Sequence, residues 1–386
     1  MLAPVVTRHG MYAASRALLT AMDSDCETGI KRYFSFGEVI FLNSGKQALV
    51  ESINSLKKLS GRNKVIVQSY TCFSVAKAIY DSGLAVQIVD TDPETLDFHY
   101  DELEKVVDEN TLCVIATHLF GVSANIARLR AITRRQGAFL IEDASQKQLS
   151  VDTESTLGDA AIYSFGRGKP LSLMGGGILG INGIDRYATV LGKKTELAGP
   201  AKLGVVTYLK MLANDIVTQP MVYGVPARIP VFGIGETIYP EHIETGDLSR
   251  FQKCFLLKML ARIAEDTQRR RQIAAEYRRY FQELDVQNKI AHTNNGNYAP
   301  HRYPFYIKSP FTRLSSSIKK HCKQFGIVQM YPRGINTLPQ LKNKIPSNSP
   351  YYGADYIANH LVTAPTHVYV NHRHLESIKA IIKDLI

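Results

Sequence analysis

The sequence predicts an α/β fold built on a mostly parallel sheet with helices on both faces. Short apolar segments alternate, along the first half of the chain, with segments whose apolar residues recur at helical spacing. The apolar segments are almost continuously apolar, which is typical of strands buried on both faces. In such sheets a ligand is expected beyond the carboxyl ends of the strands.

Seven strand candidates occur in the first half. In chain order they are VIFLN (ending at Asn43), KVIVQ (64–68), AVQIVD (85–90), LCVIATH (112–118), GAFLIED (137–143), AAIYSF (160–165) and GGGILGIN (175–182). Three segments between them carry apolar residues at helical spacing: Leu49, Ile53 and Leu56; Val75 and Ile79; Ile126, Leu129 and Ile132. The third helix is expected to stop at Gly137, which suits a left-handed cap.

The second half predicts a long helix and a smaller α/β unit. Residues 195–247 are rich in Gly, Pro and Tyr and receive no assignment, and one helix is expected over 248–283. The last hundred residues contain HRYPFYIKS (301–309), a helix through Ile318, Cys322 and Phe325, and a final helix through Ile378 and Leu385. We therefore expect a large domain (1–247), a connecting helix (248–283) and a small C-terminal domain (284–386).

Composition and charge restrict the class of protein. The 386 residues are 45% apolar and 21% charged, which excludes a disordered or collagen-like chain. A formal charge of +11 suits anionic partners, among them nucleic acid, anionic membranes and phosphorylated small molecules. The densest basic stretch, 269–280, is interpreted as a solvated helix face, and no nucleic-acid motif accompanies it. Nucleic acid is therefore not an expected partner.

Neither a membrane nor a metal is expected. No apolar run approaches the roughly 18–20 residues that span a bilayer, and the N-terminus lacks the apolar core of a signal peptide, so a cytoplasmic location is expected. The cysteines are odd in number and scattered, which supports neither a disulfide framework nor a zinc site: Cys26, Cys72, Cys113, Cys254 and Cys322. The histidines His367, His372 and His374 lack a partner at ligand spacing.

Three polar segments follow strand ends. Glu142 and Asp143 end the apolar GAFLI strand, where an unpaired acid is costly, although a helix-capping Asp is the alternative. Lys169 lies between a buried strand and the glycines 175–177; a desolvated lysine is a nucleophile, and a surface lysine is the alternative. The turn 43–47 presents free backbone N–H groups to an anion.

Together these segments match what pyridoxal phosphate requires. A lysine binds the cofactor covalently, a carboxylate pairs with the pyridine nitrogen and keeps the ring an electron sink, and a helix N-terminus holds the phosphate. No single segment is specific, but the combination is.

The chain also resembles the DegT/StrS family of sugar-nucleotide aminotransferases, which have the fold of type I pyridoxal phosphate enzymes. The resemblance rests on motifs in conserved order and spans about 40–383: EDASQ (142–146), Gly158-Asp159, Ser164-Phe165, Lys169 before GGGILG, SGKQAL (44–49), YTCF (70–73), HLFG (118–121) and the segment 358–378.

The resemblance implies roles for individual residues. Lys169 would hold the cofactor covalently and move the substrate proton, and Asp143 would bind the pyridine nitrogen. Gln146 would contact the 3-hydroxyl, and an aromatic residue such as Phe73 would stack on the ring face. The phosphate would be held by Ser164 and by the turn at Gly45, Lys46 and Gln47. The family also implies a homodimer with shared active sites, a nucleotide-linked keto-sugar as substrate and an amino donor such as glutamate.

Several positions depart from the family pattern. Lys46 and Gln47 replace the Thr-Ala of the phosphate turn, Cys72 aligns with the stacking aromatic, and HIETGD (242–247) does not match the loop that reaches the partner. A charged contact from Lys46 is one replacement for the missing hydroxyl. Two alternatives stay open: an enzyme of the same cofactor acting on a non-sugar ketone or amino acid, and a non-catalytic scaffold. Tyr331 and Arg333 are further substrate-contact candidates.

Overall fold

The apolar segments form the central sheet of a computed structural model, which describes residues 1–21, 25–149, 158–182, 204–224, 245–294, 296–341 and 350–386. All seven predicted strands are present: β1 (Glu38–Leu42), β2 (Lys64–Gln68), β3 (Ala85–Val89), β4 (Thr111–Thr117), β5 (Phe139–Asp143), β6 (Ala160–Ser164) and β7 (Gly177–Ile181). Every residue of β4 and β7 is buried, as the continuous apolar runs predict.

The strand order is β1-β7-β6-β5-β4-β2-β3. The pairs β2–β3, β2–β4, β4–β5 and β5–β6 are parallel, which confirms the predicted α/β class. β7 runs antiparallel to both of its neighbours. No helix of the described chain lies between β6 and β7, so the chain returns directly and reverses direction.

Helices flank this sheet. Those of the first half are α1 (Met11–Thr20), α2 (Cys26–Phe34), α3 (Gly45–Ser60), α4 (Phe73–Asp81), α5 (Tyr100–Val106) and α6 (Ile126–Arg135). Three of them, α3, α4 and α6, lie at the predicted places. Gly137, with φ of 60°, follows the C-cap Gln136 of α6 and is left-handed as expected. Within the unassigned stretch 195–247, the described part contains α7 (Val205–Val217).

The single helix predicted over 248–283 is wrong in one respect, because the structure divides it into α8 (Arg250–Leu260) and α9 (Ile263–Glu283). Arg262, with φ of −111° and ψ of 2°, leaves the helical conformation between them. The break allows two different faces to be buried. Residues of α8 such as Phe255 join the core around α1 and α2, whereas Tyr277 and Phe281 of α9 join the core that reaches the C-terminal strands.

The C-terminal part contains a two-stranded antiparallel sheet, β8 (Arg302–Tyr306) with β9 (Leu361–Pro365). Its helices are α10 (Ser316–Gln324), α11 (Tyr352–His360) and α12 (His372–Leu385), of which α10 and α12 were predicted. One hydrophobic cluster runs from Ile40 and Val67 of the large sheet to Phe305 of β8 and Ile382 of α12. The small sheet is therefore joined to the large one through apolar contacts.

The structure corrects two expectations of the sequence analysis, one about the cysteines and one about Arg270 in the basic stretch. A disulfide joins Cys26 of α2 to Cys254 of α8, residues 228 apart in sequence, a pairing that the scattered cysteines did not reveal. Arg270, expected on a solvated face, is only 1% exposed and donates hydrogen bonds to Asp266, to Thr366 and to the backbone oxygens of His301 and Pro170. In the part of the chain that the structure describes, no helix is both long and apolar enough to cross a bilayer.

His367 predicts a pH dependence of stability. Its Nε2 donates to the backbone oxygen of Ala3 over 2.7 Å, and burial lowers its pKa to about 4. An unfolded histidine has a pKa of about 6.5, so the unfolded state takes up a proton first as the pH falls. The free energy of unfolding is therefore unaffected by protonation of His367 above pH 6.5 and decreases by about 1.4 kcal/mol per pH unit as the pH falls toward 4.

Between pH 7.5 and pH 5, we therefore expect the free energy of unfolding to fall by about 2 kcal/mol more in the wild type than in the His367→Gln variant. Urea unfolding at the two pH values measures the difference. His372→Gln, a change at an exposed histidine, is the control and should follow the wild type. An identical pH dependence of all three proteins would contradict the assignment.

Candidate active site

The three predicted segments meet at one edge of the sheet. Asp143 is the last residue of β5 and Ser164 the last of its neighbour β6, while Gly177 of β7 pairs with both Ser164 and Leu42. Leu42 ends β1 and is followed by the turn into α3. The structure thus places the acid, the serine and the turn together, as parallel-strand topology predicts.

The turn at the start of α3 is pressed against the ends of β6 and β7. Ser44 is the N-cap residue, and its Oγ accepts a hydrogen bond from the Gln47 N–H over 3.1 Å. A Cβ added to Gly45 would lie 2.7 Å from Ser164 Cβ, and one added to Gly177 would lie 2.5 Å from the Gly45 nitrogen. Close backbone packing therefore explains the glycine at 177.

The Gln47 side chain stabilises the turn from behind. Its Oε1 accepts hydrogen bonds from the backbone N–H groups of Asn43 and Gly246, at 3.1 and 3.2 Å. The segment after residue 244 thus contacts this chain's own turn. Both the side chain and the N–H of Gln47 are therefore hydrogen bonded within this chain's own turn.

Asp143 is supported by its neighbours. It is 8% exposed, and its Oδ1 accepts a hydrogen bond from the Ser145 N–H at 3.0 Å. Glu142 points to the other side: its Oε2 lies 3.0 Å from His118 Nε2, and its Oε1 accepts from the Gly158 N–H. Burial raises the pKa of Glu142, but the hydrogen bond and charge of His118, the Gly158 N–H and the charge of Lys147 together outweigh it, so the pKa is held below its usual range. Glu142 is thus bonded to His118 and Gly158, whereas the charge of Asp143 acts on Tyr331.

Gln146 connects the site to the C-terminal part of the chain. Its Oε1 accepts from the Phe120 N–H at 3.0 Å, and its Nε2 donates to the Tyr331 hydroxyl at 2.9 Å. Tyr331 also exchanges hydrogen bonds with Tyr70, and the two rings pack edge to face at 5.5 Å. Burial raises the pKa of Tyr331, and the neighbouring Cys72 and Asp143 raise it further. Tyr331, a substrate-contact candidate in the sequence analysis, thus lies next to Gln146 in the candidate site.

The loop that carries Lys169 is held from several sides. Thr7 Oγ1 accepts from the Ser172 N–H at 2.9 Å, and His9 Nε2 donates to the Ser172 oxygen at 2.9 Å. From α8, Gln252 Nε2 donates to the oxygen of Leu173 at 3.0 Å. The sequence analysis named neither Thr7 nor His9, because neither stands in a recognisable motif.

His301 is the main residue that sequence reasoning missed. It is fully buried, yet both of its ring nitrogens lack a hydrogen-bond partner among the described residues, and so does Nε of the adjacent Arg302. Burial lowers the pKa of His301 well below its usual value, and the positive charges of Arg302, Arg270 and Lys169 lower it further. Unsatisfied buried polar atoms beside Lys169 are what a ligand site leaves open.

Cys72 and Phe73 lie at the start of α4 but in different surroundings. Cys72 is the N-cap residue, is partly exposed, and has its Sγ 3.0 Å from Ser74 Oγ, near Tyr331 and Lys46. Phe73 is 5% exposed within the main hydrophobic cluster. Its role as a ring-stacking residue stays a prediction. The histidines of 367–374 form no metal-binding group among the described residues.

Comparison with known proteins identifies the family. A profile of the DegT/DnrJ/EryC1/StrS aminotransferase family matches residues 21–189 and 244–383, which is more than half of the chain. The chain belongs to this family. The prediction made from the motifs is therefore confirmed, and the segment 190–243, which includes α7, lies outside the match.

Individual relatives match different shares of the chain. A "Pleiotropic regulatory protein" of Geobacillus stearothermophilus is 30% identical over 178 residues, 45% of this chain and 48% of the relative. A "UDP-2-acetamido-2-deoxy-3-oxo-D-glucuronate aminotransferase" of Pseudomonas aeruginosa is 23% identical over 95% of this chain and 90% of the relative. The chain spans about half the length, or less, of the first curated relatives it matches.

Solved structures confirm the fold. Helicobacter pylori PseC, an "aminotransferase involved in the biosynthesis of pseudoaminic acid", superposes with a TM-score of 0.71 at 16% identity, covering 96% of this chain and 95% of PseC. The predicted fold of type I pyridoxal phosphate enzymes is therefore present.

The residues of the site fit pyridoxal phosphate, the cofactor of this family. A buried carboxylate, an amine on a braced loop and a tight glycine turn that exposes N–H groups are the donor set that this cofactor needs. The unpartnered nitrogens of His301 and Arg302 add polar groups that a bound ligand would satisfy. The cofactor prediction is thus confirmed at the level of the family.

The glycine contact gives a prediction at this site. In Gly45→Ala the new Cβ overlaps Ser164 Cβ and lies 3.3 Å from Ser164 Cα, so the turn has to move. We expect a loss of about 1–3 kcal/mol of unfolding free energy and weaker binding of pyridoxal phosphate, measured by urea unfolding and by titration of the cofactor. Gly296→Ala, at a glycine with no atom within 4 Å, is the matched control. Equal behaviour of the two variants would contradict the tight contact.

Proposed function

We propose that this protein is a pyridoxal phosphate-dependent aminotransferase that transfers an amino group, from a donor such as glutamate, to a nucleotide-linked keto-sugar. One observation carries the proposal: Asp143, Ser164 and the turn at Gly45 share one edge of the sheet, and the loop with Lys169 continues from that edge. The arrangement has the three functions that the cofactor needs, namely a charge partner, an anion cradle and an amine.

Each residue has a proposed task. Bound pyridoxal phosphate supplies an electron sink that stabilises negative charge on the substrate carbon. Asp143, oriented by the Ser145 N–H, holds the proton on the pyridine nitrogen and so maintains that sink. Lys169 Nζ holds the cofactor and afterwards carries the proton to or from the substrate carbon. Gln146, fixed between Phe120 and Tyr331, orients the 3-hydroxyl of the ring.

The remaining contacts concern the phosphate. Ser164 and the backbone N–H of Lys46 bind it at the start of α3, where the helix dipole favours negative charge. The Gln47 N–H, which donates to Ser44 Oγ, would join them by exchanging that bond for one to the phosphate. The division into 1–247, 248–283 and 284–386, the homodimer with shared active sites and the cytoplasmic location belong to the same proposal.

Charge supports a substrate that carries a diphosphate. The chain has a net charge of +11, and the cationic residues Arg167 and Arg302 lie near Tyr223 close to the Lys169 loop. Relatives whose names include GDP-perosamine synthase and a UDP-sugar aminotransferase act on nucleotide sugars by those names. An enzyme of the same cofactor that acts on a non-sugar ketone or amino acid is the second candidate, which the altered phosphate turn at Lys46 and Gln47 and the unmatched loop 242–247 favour.

Replacing Lys169 tests the proposed catalytic amine. Lys169→Ala should lower turnover by at least about 100-fold, because it removes the group that moves the proton. Steady-state assays with glutamate and a panel of keto-sugar nucleotides measure it, with Lys58→Ala on the exposed end of α3 as the control. Full activity of Lys169→Ala would end the proposal. Activity with a non-sugar ketone alone would select the second candidate.

Replacing Asp143 tests the electron sink separately. Asp143→Asn keeps the shape of the side chain but removes the charge that holds the pyridine proton, so we expect a large loss of kcat, about 100-fold or more, with the fold retained. Asp101→Asn, at an exposed position of α5, controls for the loss of one carboxylate. An unchanged kcat in Asp143→Asn would mean that another group holds that proton.

A further inference from the structure

Lys46 occupies a fixed position at the mouth of the anion cradle. It is the second residue of α3, between Gly45, which contacts Ser164, and Gln47, whose backbone and side chain are both hydrogen bonded. The backbone of the turn therefore has little freedom, and the Lys46 side chain starts from a defined point. It is half-buried.

The surroundings of the Lys46 ammonium group are cationic. Burial lowers its pKa; Cys72 opposes this, and the positive charges of Lys169 and Lys77 lower the pKa further. Lys77 has its own partner, since it forms an ion pair with Asp81. Lys46 has no hydrogen-bond or ion-pair partner among the described residues, and no carboxylate is among the groups that shift its pKa.

Such a group is stabilised by an anion. A partly desolvated ammonium beside two like charges is unfavourable by itself, and a dianion at the start of α3 relieves the desolvation and the repulsion together. A threonine at this position offers the anion a hydrogen bond from a neutral hydroxyl, whereas an ammonium donates a hydrogen bond and also supplies a positive charge that attracts the anion.

We propose that the Lys46 side chain is the counter-charge of the cofactor phosphate, so that this site selects phosphorylated over unphosphorylated pyridoxal. The inference rests on the proposed function and deepens it. It also accounts for the departure at residue 46, where a charged contact replaces a hydroxyl contact.

Comparing two ligands isolates the phosphate contact. The cofactor-free protein is titrated with pyridoxal phosphate and, separately, with pyridoxal, which lacks the phosphate, and dissociation constants are obtained from absorption and fluorescence. Three variants are compared. Lys46→Met keeps most of the side-chain length without the charge, Lys46→Thr introduces a hydroxyl, and Lys77→Met is the control.

We expect Lys46→Met to bind pyridoxal phosphate about 10- to 100-fold more weakly, from the loss of a charged hydrogen bond, and to bind pyridoxal as the wild type does. Lys46→Thr should recover part of the loss, and Lys77→Met should match the wild type for both ligands. Higher salt should weaken phosphate-ligand binding more in the wild type than in Lys46→Met.

The outcomes separate the two proposals. If the wild type binds neither ligand, the proposed function fails. If the wild type binds pyridoxal phosphate and Lys46→Met binds it equally well, Lys46 is not the counter-charge while the function stands. An equal loss for both ligands also overturns the inference, because Lys46 would then act on the turn or on the aldehyde end.

Discussion

The approach of the α3 turn to the ends of β6 and β7 is the contact on which the rest of the site depends. Gly45, Ser164 and Gly177 come so close that a Cβ at either glycine would overlap its neighbour. This approach sets the anion cradle next to Ser164, the strand end from which the Lys169 loop departs. A bulkier residue at 45 or 177 would separate the cradle from the amine.

The other half of the site is held by polar contacts between distant parts of the chain. The N-terminal segment and α8 hold the backbone after Lys169, while Gln146 reaches the Tyr331 hydroxyl across 185 residues of sequence. Interior groups of this kind stabilise one geometry only when they are satisfied. His301 and Arg302, which are not, lie where a ligand would complete the network.

Much of this arrangement could be predicted from the sequence. The continuous apolar runs predicted all seven strands, and the placement of Asp143, Lys169 and the α3 turn at strand ends predicted that they meet. The helix break at Arg262, the reversal of β7 and the Cys26–Cys254 disulfide depend on tertiary packing, which leaves no local pattern.

Dependence on tertiary packing also explains why the sequence analysis did not identify His301 and named Tyr331 only as a substrate-contact candidate. Their significance comes from what surrounds them, and both are brought to the site by the C-terminal part of the chain. Arg270 was misjudged for a similar reason: a basic run predicts a solvated face, but one of its members turns inward to bind the backbone at Pro170 and His301. Phe73 shows the converse, because its motif position is clear while its side chain lies in the core.

The most direct test of the central claim is a visible absorption spectrum of the purified protein with pyridoxal phosphate, before and after L-glutamate is added. The account predicts a visible band from the lysine-bound cofactor that is absent in Lys169→Ala and that glutamate bleaches in the wild type, as the amino group passes to the cofactor. A protein that stays colourless with added pyridoxal phosphate, or a band that survives in Lys169→Ala unchanged, would contradict it.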